Sequence, residues 1–424
     1  MLCQRKPRKV EGSAWPAWTL EWDLPADIDV ATVLARHSQP RLLERLGENL
    51  PLQVIEHRGM FNMGQGVQEC TKSSLLAALG GGGRNLTELD VCLTSDRVPI
   101  VSHDLNSWRI SSMDDKLFSE IDSSHLKDVP VIIREVSNGE ILEKYRRTPD
   151  CIPFLESALE SVFSVNPDAT VFLDGRNYEA HLIVAWLSHR SQFHLKIVLI
   201  FYTFGYLSGD AFVQAVVNAN AAPGWRKMIA LMPAVFPEEL CRLCQLKVVA
   251  DPSVDDLYLA GKDWIDSVLS QDMWVVAVHI VFSGVTKDMI GPAAGSNVVL
   301  AFDADEAAMK LAYYVKDDPD IRLTRPHLKF VSVTRCYDFA SVLNDGKRGE
   351  YSINIKTGRS VRHETDDRRN IRWKKGTPGN TAAIADWVIS DRSEDEIAFY
   401  EWKLRGVIRE VNHICPHLDV ISQE

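Results

Sequence analysis

No apolar run in this sequence is long enough to cross a bilayer. Ile197–Phe201 and Val275–Ile280 stop far short of the roughly 20 residues a spanning helix needs. Met1–Gly12 is basic but lacks an apolar core, so no secretory leader is read there. Paired cysteines are also scarce. The eight cysteines are scattered except for Cys241-Arg242-Leu243-Cys244, and no second Cys or His pair has zinc spacing. That pair reads as a coincidence on one helix face, ahead of a redox or metal half-site. Basic surplus is absent as well: 47 Lys+Arg stand against 58 Asp+Glu, a net charge of −11. Nucleic acid is thereby excluded as the main partner, because phosphate backbones require a basic surface. The run Gly80-Gly81-Gly82-Gly83 lacks the Gly-Lys-Ser/Thr ending of a phosphate loop and follows a helical stretch. It reads as a helix cap and flexible return. These absences predict a thiol-reduced cytoplasmic protein with no transmembrane segment.

What is present is a globular composition, 46% hydrophobic and 25% charged, over 424 residues. That length holds one large domain or two ordinary ones, and an α/β barrel takes about 250 residues. Strand and helix patterns alternate. Strands are expected at 53–57, 86–92, 169–174, 196–202, 227–232, 247–250, 274–282, 298–302 and 321–324, with helices between most of them. The alternation predicts a parallel α/β fold. One strand exceeds the eight of a closed barrel, and Lys247–Ala250 is set outside it. Val98–Val101 follows the second strand too closely for a crossover and is read as a hairpin partner.

The chemistry concentrates between Glu56 and Asp104. Glu88 and Asp90 alternate on one strand with Leu89 and Val91, so both carboxylates face the same way. Like charges that close are costly without a cation between them, and hard oxygen ligands suit Mg²⁺ or Ca²⁺. His57 and His103 end apolar runs on either side, and imidazoles titrate near neutrality, so one can take a proton while the other gives one. Arg58 adds a planar cation suited to phosphate. Together they describe metal-assisted attack at a phosphodiester.

This segment resembles the glycerophosphodiester phosphodiesterase family. The resemblance is carried by His57-Arg58-Gly59, Glu69-Cys70-Thr71, Glu88-Leu89-Asp90-Val91 and Ile100-Val101-Ser102-His103-Asp104, in the family's order. Ile152-Pro153-Phe154-Leu155-Glu156 and Phe172-Leu173-Asp174-Gly175-Arg176 continue it. Asn297–Glu306 and Leu323-Thr324-Arg325-Pro326 resemble the last two barrel strands, so the likeness spans roughly 53 to 335. It implies a (β/α)8 TIM barrel over 51–335, with an N-terminal arm at 1–50 and a C-terminal extension at 336–424. It implies one divalent cation, Mg²⁺ or Ca²⁺, on Glu88, Asp90 and Asp174, with His57 and His103 as base and acid in unassigned order. Arg58 and Arg176 would contact substrate phosphate; Glu69 would steady Arg58, and Asp104 would support the site. Three departures stand out. Asp174 replaces the family's Glu, as in the related sphingomyelinase D-type enzymes; Phe302 stands where Trp is usual; Cys70 replaces Asn.

The substrate implied is a glycerophosphodiester, with lysophospholipid or sphingomyelin-like diesters as the alternative and another phosphorylated metabolite, or a silent binding barrel, behind them. Other stretches carry less. Residues 1–27, with Trp15, Trp18 and Trp22 among prolines, read as an arm docking on the body, followed by helix from about Asp29 to Leu46. His279 lies inside an apolar strand as a core histidine or a pocket residue, and Tyr202 and Phe204 as a substrate wall or core. The mixed-charge stretch Arg359–Lys375 reads as solvated surface, with a basic lid or peripheral membrane contact as the sharper alternative. Ala382–Val388 and Glu394–Val411 read as helices. Oligomeric state is left open.

Overall fold

The computed structural model describes residues 53–61, 66–80, 85–137, 140–176, 179–247, 251–282, 296–333, 339–340, 351–354, 360–362 and 385–390. The N-terminal arm and helix, Gly81–Gly83, Val248–Ala250, residues 363–375 and the helix read at 394–411 lie outside them.

The first strand, β1 (Gln53–Glu56), leads through a loop to α1 (Lys72–Gly80) and β2 (Leu86–Leu93). β3 (Pro99–Val101) folds back antiparallel on β2, as the short Thr94–Val98 turn requires. A hairpin of β4 (Pro130–Ser137) and β5 (Glu140–Cys151) then precedes α2 (Leu155–Val165). The alternation continues with β6 (Thr170–Gly175), α3 (Ala180–Ser188), β7 (Ile197–Tyr202), α4 (Gly209–Asn218), α5 (Trp225–Met228), β8 (Ala230–Val235), α6 (Pro237–Leu246), α7 (Val254–Leu269) and β9 (Ala277–Ile280). It closes with α8 (Ser296–Asp317), α9 (Pro319–Thr324), β10 (Lys329–Val333) and β14 (Trp387–Ser390); a small antiparallel sheet of β11 (Phe339–Ala340), β12 (Tyr351–Asn354) and β13 (Ser360–Arg362) lies between the last two in sequence.

Of the nine strands in the main sheet, β3 is an antiparallel edge. The other eight run parallel in the order β1-β14-β10-β9-β8-β7-β6-β2 and return to β1. This is a closed (β/α)8 barrel, and the expected fold class holds. Strands such as Ile-Val-Leu-Ile-Phe-Tyr at 197–202 are apolar throughout because both faces are covered. Ile55, Leu86, Phe172, Ile200, Met232, Ala277 and Trp387 fill the barrel, with Phe172 and Trp387 meeting edge to face at 5.9 Å. Leu89, Val91, Leu199 and Leu231 point the other way, against the helices. α2 shows why: Leu155, Ala158, Leu159 and Val162 recur at helical spacing and are all buried.

The last third of the barrel differs from the sequence reading. Residues 298–302 lie within the 22-residue helix α8 and 321–324 within α9, so neither is a strand. The final barrel strands are β10 and β14, the latter drawn from a segment read partly as helix (Ala382–Val388) and assigned to the extension after 335. Phe302 accordingly sits in a helix and is no longer supported as a substrate-facing strand residue. The strand read at 227–232 begins only at Ala230, after α5, and Lys247 caps α6. The β4–β5 hairpin was not foreseen; a small core of Cys92, Ile100, Phe118, Leu126, Val131 and Ile152 lies beneath this region beside β2 and β3. No described helix is long and apolar enough to cross a membrane.

Candidate active site

β1 ends in a tight turn. Arg58 takes a left-handed backbone (φ 56°), Gly59 follows at φ 73°, and Cys70, which donates its N–H to the Arg58 carbonyl at 3.1 Å, is left-handed at φ 53°. A Cβ on Gly59 would lie 2.7 Å from the Ser74 backbone, so only glycine fits. Gly59→Ala is therefore expected to cost about 1–3 kcal/mol in urea denaturation, through strain and displacement of α1. The turn aims the Arg58 N–H at Glu88 Oε2, 2.9 Å away, and brings His57 Nε2 to 3.8 Å from the same carboxylate.

Register then assembles the acids. Asp90 on β2 pairs with Asp174 on β6, and Glu88 lies two residues before Asp90 on the same face. Glu88, Asp90 and Asp174 are all buried and offer one ligand oxygen each within 4.8 Å of one another. Glu88 Oε1 and Asp174 Oδ1 are buried without hydrogen-bond partners among the described residues. Burial, with Asp90 and Asp174 beside it, raises the Glu88 carboxyl well above its usual range. Burial also raises Asp174, to about 6, against the opposing pull of Arg176. A convergent acid set with orphaned oxygens and raised pKa values fits a divalent cation: hard oxygen donors, net negative charge, and repulsion that a cation would relieve.

Fixed donors surround the set. Tyr202, at the end of β7, donates its hydroxyl to Asp174 Oδ2. Arg176 Nη1 lies 3.5 Å from Asp90 and 3.6 Å from Asp174, so its guanidinium faces the acids as well as the barrel mouth. Cys70, in place of the family's Asn, keeps a contact: its Sγ lies 3.5 Å from Asp90 Oδ2. Burial and then Asp90's charge raise the thiol, so it stays protonated and donates.

A second network lies beside the first. His103 Nδ1 bonds Asp104 Oδ1 at 2.9 Å. Arg109 grips Asp104 through Nε at 2.5 Å and Nη2 at 2.9 Å, and its Nη2 also donates to Glu69. Glu69 in turn accepts from Arg58 Nη1 at 3.2 Å, while Arg58 Nε stands 3.2 Å from Asp90. An unbroken chain of buried charges thus runs from His103 to the acid cluster. Burial opposes ionisation of Glu69, but Arg109 and Arg58 outweigh it and hold the carboxyl near 2.

The structure gathers His57, Arg58, Glu69, Glu88, Asp90, His103, Asp104, Asp174 and Arg176 into one linked cluster at the C-terminal ends of the strands, the mouth where barrel sites form. Arg109 went unread. Its signal was indirect: two buried acids, Glu69 and Asp104, need a counter-charge, and Arg109 is an unassigned cation five residues past Asp104.

Residues 57–177 match the Glycerophosphoryl diester phosphodiesterase family. That stretch holds every site residue just named, and over it the resemblance read from the sequence is borne out. No curated protein matches the chain significantly. Among solved structures, the chain is similar to a glycerophosphoryl diester phosphodiesterase from Parabacteroides distasonis at 14% identity, covering 83% of this chain and 87% of that one, with a TM-score of 0.44. An Oleispira antarctica phosphodiesterase in complex with the product sn-glycerol-3-phosphate is 16% identical over 82% of this chain and 96% of that one, TM-score 0.42. A glycerophosphodiester phosphodiesterase from Thermotoga maritima is 14% identical over 82% and 98%, TM-score 0.39.

Proposed function

We propose that this chain is a phosphoric diester hydrolase acting on glycerophosphodiesters with one divalent cation. The observation that carries the reading is the convergence of three buried carboxylates beside two histidines in the mouth of a barrel. Glu88, Asp90 and Asp174 would hold the cation, whose chemistry is to polarise a phosphate oxygen and screen developing negative charge. The choice between Mg²⁺ and Ca²⁺ stays open.

The chain's own residues do the rest. Arg58, fixed between Glu69 and Asp90, presents positive charge to the phosphate without having to be ordered first. Arg176 offers a second cation from β6's end. Asp104 holds His103 by Nδ1, which assigns proton exchange with substrate to Nε2. His57, against Glu88, is its counterpart. One ring removes a proton from the attacking hydroxyl, of water or of a neighbouring group on the substrate, and the other protonates the departing alkoxide. Asp174 in place of Glu is the feature favouring a second substrate reading, a lysophospholipid diester.

Turnover of glycerophosphocholine and lysophosphatidylcholine, with Mg²⁺, Ca²⁺ or chelator and beside a His57→Ala control, tests both. Metal-dependent release lost in the control supports the hydrolase, and the preferred substrate chooses between readings. A folded protein that binds a divalent ion yet releases nothing from either would defeat the proposal.

A pH dependence follows from Asp174. Its folded value of about 6 exceeds its usual 3.8, so the folded chain holds extra protons between those limits. In chelator, stability should fall as pH rises from about 4 through 6, and Glu88, which burial beside Asp90 and Asp174 raises well above its usual range, carries the fall further. Saturating Mg²⁺ should remove that fall, because the cation takes the proton's place. Melting temperatures across pH 4–8 check it; a stability rising over that window in chelator would be the contrary result.

A further inference from the structure

His279 is a polar side chain inside the barrel that this chemistry leaves unused. His279 lies on β9, is 6% exposed, and neither ring nitrogen has a hydrogen-bond partner among the described residues. It has the same strand parity as Ala277, which packs inside the barrel, so its ring points inward. Register places it in one row with Ala234 of β8 and Tyr202 of β7, the tyrosine that holds Asp174. Ala234, between them, contributes only a methyl group. On its other side His279 pairs with Val331 of β10.

The ring is electrically tied to the site. Burial, and then the charge of His57, lower its pKa to about 3, so the imidazole is neutral at physiological pH. A neutral imidazole carries one donor and one acceptor. Buried polar groups ordinarily find partners, and this one has none within the described protein. Arg58 and Arg176 already supply cations for phosphate, and a neutral ring adds little there. A hydroxyl, which both gives and accepts, satisfies either nitrogen whichever carries the proton.

We propose that His279 is a specificity-determining residue that hydrogen-bonds a hydroxyl on the glyceryl side of the substrate, next to the phosphate faced by His57. The inference rests on the phosphodiesterase reading of the same site. It predicts a preference for diesters whose alcohol carries a free hydroxyl, which the acid cluster and the two catalytic histidines do not by themselves impose.

The experiment measures binding of sn-glycerol 3-phosphate and of methyl phosphate, which lacks the hydroxyls, by titration calorimetry with Mg²⁺ present. The full chain is compared with His279→Phe and His279→Gln, with thermal melts to confirm folding. The expected result is an affinity about tenfold lower for glycerol phosphate in His279→Phe, the loss of one buried hydrogen bond, with methyl phosphate unchanged. His279→Gln, which keeps a donor and an acceptor, should recover part of that loss. Equal losses for both ligands, or no loss for either, would overturn the proposal and return His279 to the core. Glycerophosphocholine turnover is followed in parallel. Selective loss of binding without any wild-type turnover would sink the hydrolase reading alone; turnover without selective loss would sink this inference alone. Wild-type protein binding neither ligand would overturn both.

Discussion

His103→Ala is expected to lower glycerophosphodiester turnover by about a thousandfold while leaving the fold and divalent-cation binding intact. A positioned acid or base is worth roughly 10²–10⁴ in rate, and His103 is positioned by its Nδ1 bond to Asp104. The fold should tolerate the change because Asp104 keeps both contacts with Arg109. Cation binding should tolerate it because Glu88, Asp90 and Asp174 bring their ligand oxygens together without a contribution from the imidazole. Added imidazole should restore part of the rate if proton transfer is what was lost. Steady-state turnover with and without imidazole checks this. A variant that retains full turnover would remove His103 from the chemistry.

Arg109→Ala should produce the largest loss of stability, about 3–5 kcal/mol, because it strands two buried acids at once. Arg109 bonds both Asp104 and Glu69 and so holds the two carboxylates together. Glu69 contributes stability through its lowered pKa: the contribution is fully present above its usual 4.5 and is lost as pH falls through about 2. The variant should therefore lose most at neutral pH and least in acid, where Glu69 can take up a proton. Urea denaturation at pH 4 and pH 7 reads the difference. Arg109→Lys should fall between the two, because an ammonium supplies charge without the fork that reaches both carboxylates. A deficit independent of pH would point to lost packing.

The site was legible in the sequence because its parts are local. His57-Arg58-Gly59, Glu88-Leu89-Asp90 and Val101-Ser102-His103-Asp104 lie within one segment, and alternation alone places Glu88 and Asp90 on a common face. Asp174 needed the parallel register of β2 with β6, which the resemblance supplied and residue spacing did not. Arg109 was missed because its role depends on the burial of Glu69 and Asp104, and burial of an acid is a tertiary fact.

The barrel's closure was harder for a similar reason. Asn297-Val298-Val299-Leu300-Ala301-Phe302 is an apolar run that periodicity cannot sort into strand or helix. It belongs to α8, whose helical pattern continues through Ala307, Leu311 and Val315 against the core. The real closing strand, Trp387-Val388-Ile389-Ser390, is short and follows alanine-rich residues that favour helix. What makes it a strand is parallel pairing with Gln53–Glu56 on one side and Val331–Val333 on the other. Contacts so distant in the chain leave no local trace.

The most direct test of the account combines metal binding and turnover in one preparation. Mg²⁺ or Ca²⁺ binding by calorimetry and glycerophosphocholine release would be measured for the chain and for Asp90→Asn, in chelator and in excess metal. The account predicts one bound cation and turnover abolished by chelator, with both lost or sharply weakened in Asp90→Asn. Turnover undiminished in chelator, or cation binding undisturbed by Asp90→Asn, would contradict it.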